Sequence, residues 1–276
     1  MELSTGGDSM NDRRALAGAT TGLRGNLCEF PAMFAKGVLI SVADEFHTAT
    51  ATLVDLGHGP MAVTCAHVIT HRKSEAAPSY LEMWRDGRAL IRVGNVRVSP
   101  SQLAGLDGEV DLATISLSDE QAADLVSEDG IAAQFYRPAR WPPDRAKEGE
   151  SVAIGGFPAE WRQRRSEARE MILRYYGIGA TPVTSASERQ FGCRFEREGW
   201  IWMSRDAELP DLTTLGGLSG GPVFAERHLH RALVGIVKNF REDCDIMLMS
   251  HTDWIQEDGS IRTDHPWGNA PTTETL

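Results

Sequence analysis

The sequence predicts an all-β protein, a sandwich or a barrel, divided into two halves of similar length. Short apolar runs rich in β-branched residues recur along the chain, and turn residues separate them, as is typical of this fold class. Residues 137–149 interrupt the series with several prolines and charges. Because proline disfavours both helix interiors and central strands, we expect this stretch to link the two halves.

The first predicted half spans residues 27–136 and follows a polar, glycine-rich segment, residues 1–26, that we expect to be flexible. The run 48–54 alternates Thr with Ala before its Leu-Val end, and residues 57–60 form a turn before the next run. Residues 119–129 fit either a short surface helix or a loop. The predicted strands of this half are residues 37–42, 48–54, 61–64, 90–93, 96–98 and 112–117.

The second predicted half spans residues 150–257 and has the same β character. A polar turn separates the runs 222–224 and 232–237, which indicates a hairpin. Residues 258–276 are polar with two prolines, so we expect a flexible, loosely attached tail. The predicted strands of this half are residues 151–154, 170–176, 200–203, 222–224, 232–237 and 246–249.

Composition limits the classes of function. The 276 residues are 41% hydrophobic and 24% charged, as in soluble globular proteins. The net charge of −11 argues against binding to nucleic acid or to anionic membranes. No apolar run is long enough to span a bilayer and no signal peptide is visible, so we expect a cytoplasmic protein. The cysteines lack metal-ligand spacing and predict free thiols: Cys28, Cys65, Cys193 and Cys244.

Three side chains in the chain order His, Asp, Ser could form a nucleophilic centre. Ser219 lies in Gly-Leu-Ser-Gly-Gly-Pro, residues 217–222, whose glycines suit a loop that aims backbone N–H groups at one point. A serine hydroxyl needs a base, and that base needs a third group to hold its tautomer. His67 ends an apolar strand, and Asp111 starts another, where a carboxylate requires a partner.

Each of these residues also has an ordinary structural interpretation. The serine segment could be a plain glycine-serine turn, His67 a core or surface histidine, and Asp111 a solvated charge at a strand end. The serine segment also fits the nucleophile elbow of α/β-hydrolases, whose triads run Ser, then Asp or Glu, then His. That alternative is poor because no βαβ alternation surrounds the later histidines, which are His228, His230, His251 and His265.

Together these segments resemble the trypsin/chymotrypsin-like serine proteases, of the bacterial type. The matching motifs are Thr-Cys-Ala-His at 64–67, Asp-Leu-Ala at 111–113, Gly-Leu-Ser-Gly-Gly-Pro at 217–222 and Gly-Ile-Val at 235–237. The resemblance implies two six-stranded antiparallel Greek-key β-barrels with the site in the cleft between them. It also implies Ser219 as nucleophile, His67 as general base and then acid, and Asp111 as the group that orients the imidazole.

The same resemblance implies an oxyanion hole made by the N–H groups of Gly217 and Ser219. It implies hydrolysis of a protein or peptide substrate through an acyl-enzyme, with no cofactor and no metal. Secreted members carry Asp before the serine, to pair with a new N-terminus. Leu218 cannot form that pair, and Val68 replaces their cysteine after the histidine. We therefore expect an intracellular enzyme whose oxyanion loop forms constitutively or is ordered by something else, such as an activating protein partner.

Substrate specificity is weakly encoded. By the family pattern, the residues near the primary pocket are Thr213, Thr214, Lys238, Asn239 and Phe240. No Asp stands six residues before the serine, which argues against a strict preference for Arg or Lys. Lys238 either favours an acidic side chain or points to solvent, and Phe240 could narrow the pocket. The hypotheses are a serine endopeptidase, a partner-activated or catalytically silent binding protein with this fold, and an esterase with the same triad.

Overall fold

The computed structural model describes most of both predicted halves. The described residues are 30–42, 45–70, 81–85, 88–92, 95–99, 110–126, 134–161, 163–165, 170–172, 176–195, 214–227 and 230–263. Several sequence predictions therefore fall outside the described residues, namely those for Cys28, Thr213, His228, His265, the run 200–203 and the segment 1–26.

The first half forms an antiparallel sheet of seven strands in the order β5-β4-β1-β2-β3-β7-β6. The sequence predicted six of them. The seventh, β4, pairs with β1 and β5 and was missed because charged residues interrupt its apolar run. The strands are β1 (Ala35–Val42), β2 (Glu45–Asp55), β3 (Pro60–Thr64), β4 (Leu81–Arg85), β5 (Arg88–Arg92), β6 (Asn95–Val98) and β7 (Ala113–Ser116).

Two short helices accompany this sheet. The first, α1 (Ala66–Thr70), directly follows β3, and the second, α2 (Asp119–Leu125), follows β7. A capping box begins α2, because the Ser118 side chain accepts from the Gln121 N–H while the Gln121 side chain accepts from the Ser118 N–H. Within the described part of the chain, no helix has the length and apolar character that crossing a membrane requires.

Strand β2 is buried on both of its faces from Ala49 to Val54. Side chains alternate between the two faces of a strand, and Ala49, Ala51 and Leu53 belong to the hydrophobic core of the first half. The intervening Thr50 and Thr52 are fully buried as well, and their hydroxyls form hydrogen bonds to the second half of the chain. One face of β2 thus belongs to the core of the first half, and the other face forms part of the interface with the second half.

The second half forms a closed six-stranded barrel in the order β11-β12-β15-β14-β13-β8. With the sheet of the first half, this barrel confirms the predicted all-β class. A separate hairpin, β9 (Gln163–Arg165) with β10 (Glu170–Ile172), lies outside the barrel. The barrel strands are β8 (Ser151–Gly156), β11 (Tyr176–Ala186), β12 (Gln190–Arg194), β13 (Pro222–Arg227), β14 (His230–Arg241) and β15 (Ile246–His251).

The sequence predicted some barrel strands better than others. The expected hairpin of residues 222–224 and 232–237 is present as β13 and β14. The predicted run 170–176 is represented by β10 over its first three residues. Strands β11 and β12 were missed, because glycines, Pro182 and several serines and threonines break their apolar pattern. Barrel closure supplies the missing hydrogen-bond partners that let such polar segments form strands.

An aromatic cluster packs the two halves against each other. Phe224 of β13 is fully buried, and its ring centroid lies 4.9 Å from that of Phe30, 5.4 Å from that of Phe34 and 5.1 Å from that of Tyr136. Edge-to-face ring pairs at such distances are favourable beyond the area they bury. The core of the first sheet therefore continues into the barrel, where Leu233 and Ile236 of β14 join it.

The stretch that links the halves has neither helix nor strand over residues 137–149, yet side chains of the barrel hold it. Arg227 donates to the Asp144 carbonyl at 2.7 Å and the Arg145 carbonyl at 2.8 Å, and it pairs with Glu150 at 2.7 Å. Arg145 in turn pairs with the buried Asp253 at 2.6 Å. Linking residues therefore follow a fixed path.

The beginning of the predicted tail, residues 258–263, packs on the first sheet. Thr114 of β7 donates its hydroxyl to the Gly259 carbonyl, and Arg97 of β6 donates to the Asp258 carbonyl at 2.7 Å. Ile261 forms an isolated bridge with Ile255. The chain thus stays attached to the fold as far as residue 263.

Replacing Phe224 with alanine should strongly destabilise the protein. The change removes a fully buried ring that contacts three other rings, and such truncations cost about 3–5 kcal/mol of the free energy of unfolding. Urea unfolding followed by tryptophan fluorescence measures the loss. Val126→Ala, at an exposed position, should change it by less than about 0.5 kcal/mol. Equal effects of the two substitutions would contradict the shared aromatic core.

Candidate active site

The loop that carries Ser219 lies just before β13. Its turn is closed by two backbone hydrogen bonds, from Leu218 N–H to the Leu215 carbonyl at 3.3 Å and from Gly221 N–H to the Leu218 carbonyl at 2.8 Å. Gly217 and Gly220 have φ angles of +91° and +93°, a region that glycine adopts without steric cost. The Leu218 side chain is buried in the barrel core.

His67 and Asp111 form a two-point contact on the first half. His67 is the second residue of α1, and its Nδ1 lies 2.5 Å from Asp111 Oδ2. Its backbone N–H donates to Asp111 Oδ1 at 2.9 Å. The Asp111 N–H donates to the Ser250 hydroxyl of β15 at 3.1 Å, which fixes the acid against the barrel. The carboxylate therefore holds the imidazole in one orientation.

The exposure of the pair suits a base and its supporting acid. The His67 side chain is 42% exposed, whereas that of Asp111 is 14% exposed. Burial by itself raises the pKa of Asp111, but the hydrogen bonds and charge of His67, together with the charge of Lys238, bring that pKa below its usual value. An ionised carboxylate only accepts hydrogen bonds. His67 Nδ1 must therefore carry the proton, which leaves Nε2 as an acceptor in the neutral ring.

Shared partners bring the serine loop next to the segment that precedes His67. Thr50 donates its N–H to the Ser219 carbonyl at 2.9 Å, and its own carbonyl accepts from the Thr64 hydroxyl at 2.8 Å. The Val237 carbonyl accepts from the Gly220 N–H at 2.8 Å and from the Cys65 thiol at 3.0 Å. These shared partners place the Ser219 loop beside the segment that leads to His67.

The Ser219 hydroxyl itself donates to the Lys238 carbonyl oxygen at 3.0 Å. The carbonyl that accepts this hydrogen bond belongs to β14, so the contact ties the Ser219 side chain to the barrel. The Ser219 residue is partly exposed.

Two backbone N–H groups beside Ser219 have no acceptor among the described residues, those of Gly217 and Ser219. The Gly216 carbonyl accepts from the Ala159 N–H at 2.7 Å, and the Leu218 carbonyl accepts from Gly221. Because a trans peptide is planar, the N–H of the following residue points the opposite way from each carbonyl. The N–H groups of Gly217 and Ser219 are thus directed away from these partners.

Comparisons with known proteins give similarity to solved structures only. No protein-family model and no curated protein matches the chain. A Glu endopeptidase is similar at 15% identity, over 78% of this chain and 83% of that one, with a TM-score of 0.47. The protease Anisep from Arthrobacter nicotinovorans is similar at 12% identity, over 79% and 90%, with a TM-score of 0.48.

A scabies mite inactivated protease paralogue is similar at 15% identity, over 82% of this chain and 92% of that one, with a TM-score of 0.48. At such identities, activity has to be argued from the residues of the site itself.

The predicted specificity residues lie in different surroundings. Thr214 is exposed, and its N–H donates to Glu160 Oε1 at 2.9 Å. Lys238 is half-buried and its Nζ donates to Gln190 Oε1 at 3.1 Å, so its ammonium lies over β12 and near Asp111. Asn239 is exposed, and the half-buried Phe240 packs its ring 4.9 Å from that of Phe195.

One cluster offers a sulfur, a nitrogen and an oxygen within 4.8 Å of one another: Cys65, His67 and Asp111. It does not fit a metal centre. Two nitrogen or oxygen ligand atoms of a tetrahedral zinc ion lie about 3.3 Å apart. His67 Nδ1 and Asp111 Oδ2 are only 2.5 Å apart and are hydrogen-bonded to each other. Burial, followed by the charge of Asp111, raises the pKa of the Cys65 thiol well above its usual value, and the thiol donates to Val237.

Sequence reasoning missed three residues that support the site, Thr50, Thr52 and Ser250. The Thr52 hydroxyl donates to the Gly220 carbonyl at 2.8 Å, and the Thr50 hydroxyl donates to the Gly217 carbonyl at 2.8 Å. The strict alternation of Thr with Ala in β2 was a usable signal. A strand whose polar face is also buried needs partners for every hydroxyl on that face.

The stability contributed by Asp111 should depend on pH. Its folded pKa is depressed, so the carboxylate stabilises the fold fully above its unfolded pKa of about 3.9 and loses that effect as pH falls through the folded value. We expect Asp111→Asn to lower the free energy of unfolding at pH 7 and to differ less from the wild type at pH 3. Urea titrations of both proteins at several pH values measure the difference. A gap that stays constant with pH would exclude this role.

Proposed function

We propose that this protein is a serine endopeptidase that hydrolyses peptide bonds through an acyl-enzyme. The observation that carries the proposal is the two-point hold of Asp111 on His67. The Ser219 loop lies beside the segment that leads to His67, and the N–H groups of Gly217 and Ser219 in it have no acceptor among the described residues. Acyl transfer requires an oriented imidazole, a serine hydroxyl and donors for the oxyanion, and these residues supply the candidates for each part.

In the acylation step, the Ser219 hydroxyl turns to His67, and its oxygen attacks the substrate carbonyl carbon. The Oγ–H bond breaks and the proton passes to His67 Nε2, while the carbonyl π pair moves onto oxygen. The N–H groups of Gly217 and Ser219 stabilise that oxyanion. When the C=O bond re-forms, the C–N bond breaks, and the departing amine takes the proton from His67. The products are an acyl-Ser219 ester and the free amine.

Deacylation repeats these steps with water. His67 Nε2 removes a proton from a water molecule as its oxygen attacks the acyl carbon, and the second tetrahedral intermediate forms in the same hole. Collapse breaks the C–Oγ bond, and Ser219 regains its proton from His67. The carboxylic acid leaves and the enzyme is restored. Throughout both steps Asp111 stays ionised and stabilises the imidazolium.

The hydrogen bond of the Ser219 side chain favours a second candidate, a partner-activated or catalytically silent binding protein of the same fold. Its hydroxyl donates to the Lys238 carbonyl, and a bound partner or substrate that competes for that carbonyl would release it. A substrate that supplies its own N–H to Lys238 would act in this way. In the endopeptidase proposal, substrate binding and release of the hydroxyl are thus one event.

We extend the proposal to the setting of the enzyme. Its substrates would be proteins or peptides, and the half-buried ammonium of Lys238 supports a preference for an acidic side chain near the scissile bond. The three cysteines among the described residues, Cys65, Cys193 and Cys244, are free thiols. Free thiols suit a reducing compartment, in keeping with the proposed cytoplasmic location.

A fluorophosphonate probe should label Ser219 covalently. The probe phosphonylates a serine, with loss of fluoride, only where a base and an oxyanion site activate it. We expect loss of labelling in Ser219→Ala and a drop of at least about 10³-fold in His67→Ala, with the adduct located by mass spectrometry. Ser116→Ala changes an exposed serine of β7 and should label as the wild type does. A folded wild-type protein that stays unlabelled from pH 6 to pH 9 would refute the proposal.

An esterase with the same triad makes a different prediction. An endopeptidase binds peptide on both sides of the scissile bond, so lengthening a peptide substrate should raise kcat/KM for the amide. A library of internally quenched peptides, with Ser219→Ala as the control, measures this increase and identifies the preferred side chain. Turnover of activated esters with no detectable cleavage of any peptide in the library would favour the esterase.

A further inference from the structure

The geometry points to Thr50 as the residue that positions the oxyanion loop; we infer that its hydroxyl restrains the peptides on both sides of Gly217 and thereby the rate of acylation. The inference rests on the proposed function and deepens it, because it concerns what orders the same site. Thr50 belongs to β2 in the first half, whereas the loop belongs to the second half.

Thr50 makes four hydrogen bonds, two of which go to carbonyls of the serine loop. Its hydroxyl donates to the Gly217 carbonyl at 2.8 Å and accepts from the Phe157 N–H at 2.9 Å. Its N–H donates to the Ser219 carbonyl at 2.9 Å, and its carbonyl accepts from the Thr64 hydroxyl at 2.8 Å. One residue thus contacts the carbonyls of both residues whose N–H groups would bind the oxyanion.

The hydroxyl also closes a ring of contacts around the Gly216–Gly217 peptide. Phe157, which donates to Thr50, lies two residues before Ala159, and the Ala159 N–H donates to the Gly216 carbonyl at 2.7 Å. One carbonyl is therefore held by Ala159 and the next by Thr50. The Gly216 carbonyl and the Gly217 N–H belong to one planar peptide, so the hydrogen bond from Ala159 sets the direction of that N–H. Thr50 holds the next peptide through the Gly217 carbonyl, and through the Phe157 N–H it also holds the segment that carries Ala159.

The approach of the loop to residues 157–159 is close enough to require glycine. A Cβ at position 217 would lie 2.6 Å from both the Ala159 nitrogen and the Phe157 oxygen. A glycine with positive φ can rotate its flanking peptides more freely than any other residue. Position 217 thus admits only glycine for steric reasons, and the freedom of glycine makes a restraint from outside the loop necessary. The Thr50 hydroxyl supplies that restraint from the opposite half.

Burial makes the restraint specific to the hydroxyl. Thr50 is fully buried, so removing its oxygen removes both the hydrogen bond to the Gly217 carbonyl and the one from the Phe157 N–H from a site that Thr50 shields from solvent on its own side. Valine has nearly the same shape and the same preference for a strand. Thr50→Val therefore removes the two hydrogen bonds of the hydroxyl while it keeps the packing and the backbone hydrogen bonds of the strand.

The test measures fluorophosphonate labelling at saturation, which separates the maximal labelling rate from the half-saturating probe concentration. We expect Thr50→Val to lower the maximal rate about 10- to 100-fold, somewhat less than loss of an oxyanion donor, with the half-saturating concentration changed less than about threefold. Thr50→Ser, which keeps the hydroxyl, should stay within about threefold of the wild type in both values. A merely structural role would not produce this split.

Thr114→Val is the matched control, because Thr114 is a buried strand threonine whose hydroxyl donates to the Gly259 carbonyl away from the serine loop. It should lower the unfolding temperature and leave the maximal labelling rate unchanged. Should Thr50→Val not fold, Thr50→Cys keeps nearly the same volume and only a weak S–H donor. We expect an intermediate maximal rate from it, and a wild-type rate would overturn the inference.

Failure of the inference differs from failure of the proposed function. A labelled wild type with Thr50→Val labelled at the same maximal rate would overturn the role of Thr50 alone. A wild type that remains unlabelled would overturn the proposed function and, with it, this inference. Loss of maximal rate in Thr114→Val equal to that in Thr50→Val would show a general effect of destabilisation and would also overturn the role of Thr50.

Discussion

The hydrogen bonds from β2 to the serine loop are the constraint on which the site depends. His67 and Asp111 belong to the first half of the chain and Ser219 to the second. Contacts between the two halves therefore set the distance from Ser219 to the other two residues. Thr50 and Thr52 supply those contacts to the loop, and the Cys65 thiol supplies another to the Val237 carbonyl. Because Val237 also holds the Gly220 N–H, loop and base share one set of anchors.

This interface depends on the two faces of β2, one of which buries apolar side chains and the other polar ones. Its Ala and Leu side chains fill the core of the first sheet, while its threonines occupy a buried polar face. A buried hydroxyl is costly unless it is hydrogen-bonded, and the carbonyls of a loop that has no strand partner need donors just as much. The strand hydroxyls and the loop carbonyls therefore satisfy each other's hydrogen-bonding needs. Because these bonds form in one geometry only, they fix the position of one half against the other.

The sequence predicted the residues whose chemistry is local and missed those whose role depends on the other half. His67, Asp111 and Ser219 could be proposed from the sequence because their neighbours form short motifs. Thr50 was not, since alternating Thr and Ala is equally typical of a strand with one solvated face. The direction of Lys238 was left open for the same reason: only the fold shows that its ammonium meets Gln190. Strands β11 and β12 were missed because their pairing comes from barrel closure and not from an apolar pattern.

Leu218 shows how the loop can be ordered without a charged anchor beside the serine. Its side chain is 1% exposed and packs in the barrel core, so apolar burial fixes the loop on one side of Ser219. Thr50 fixes it on the other side. Both contacts are made by residues of the folded halves, and neither calls for a charge that a later event must create. A loop held in this way forms as the two halves pack. Under the proposed function, a substrate then meets a loop whose backbone is already held on both sides of Ser219.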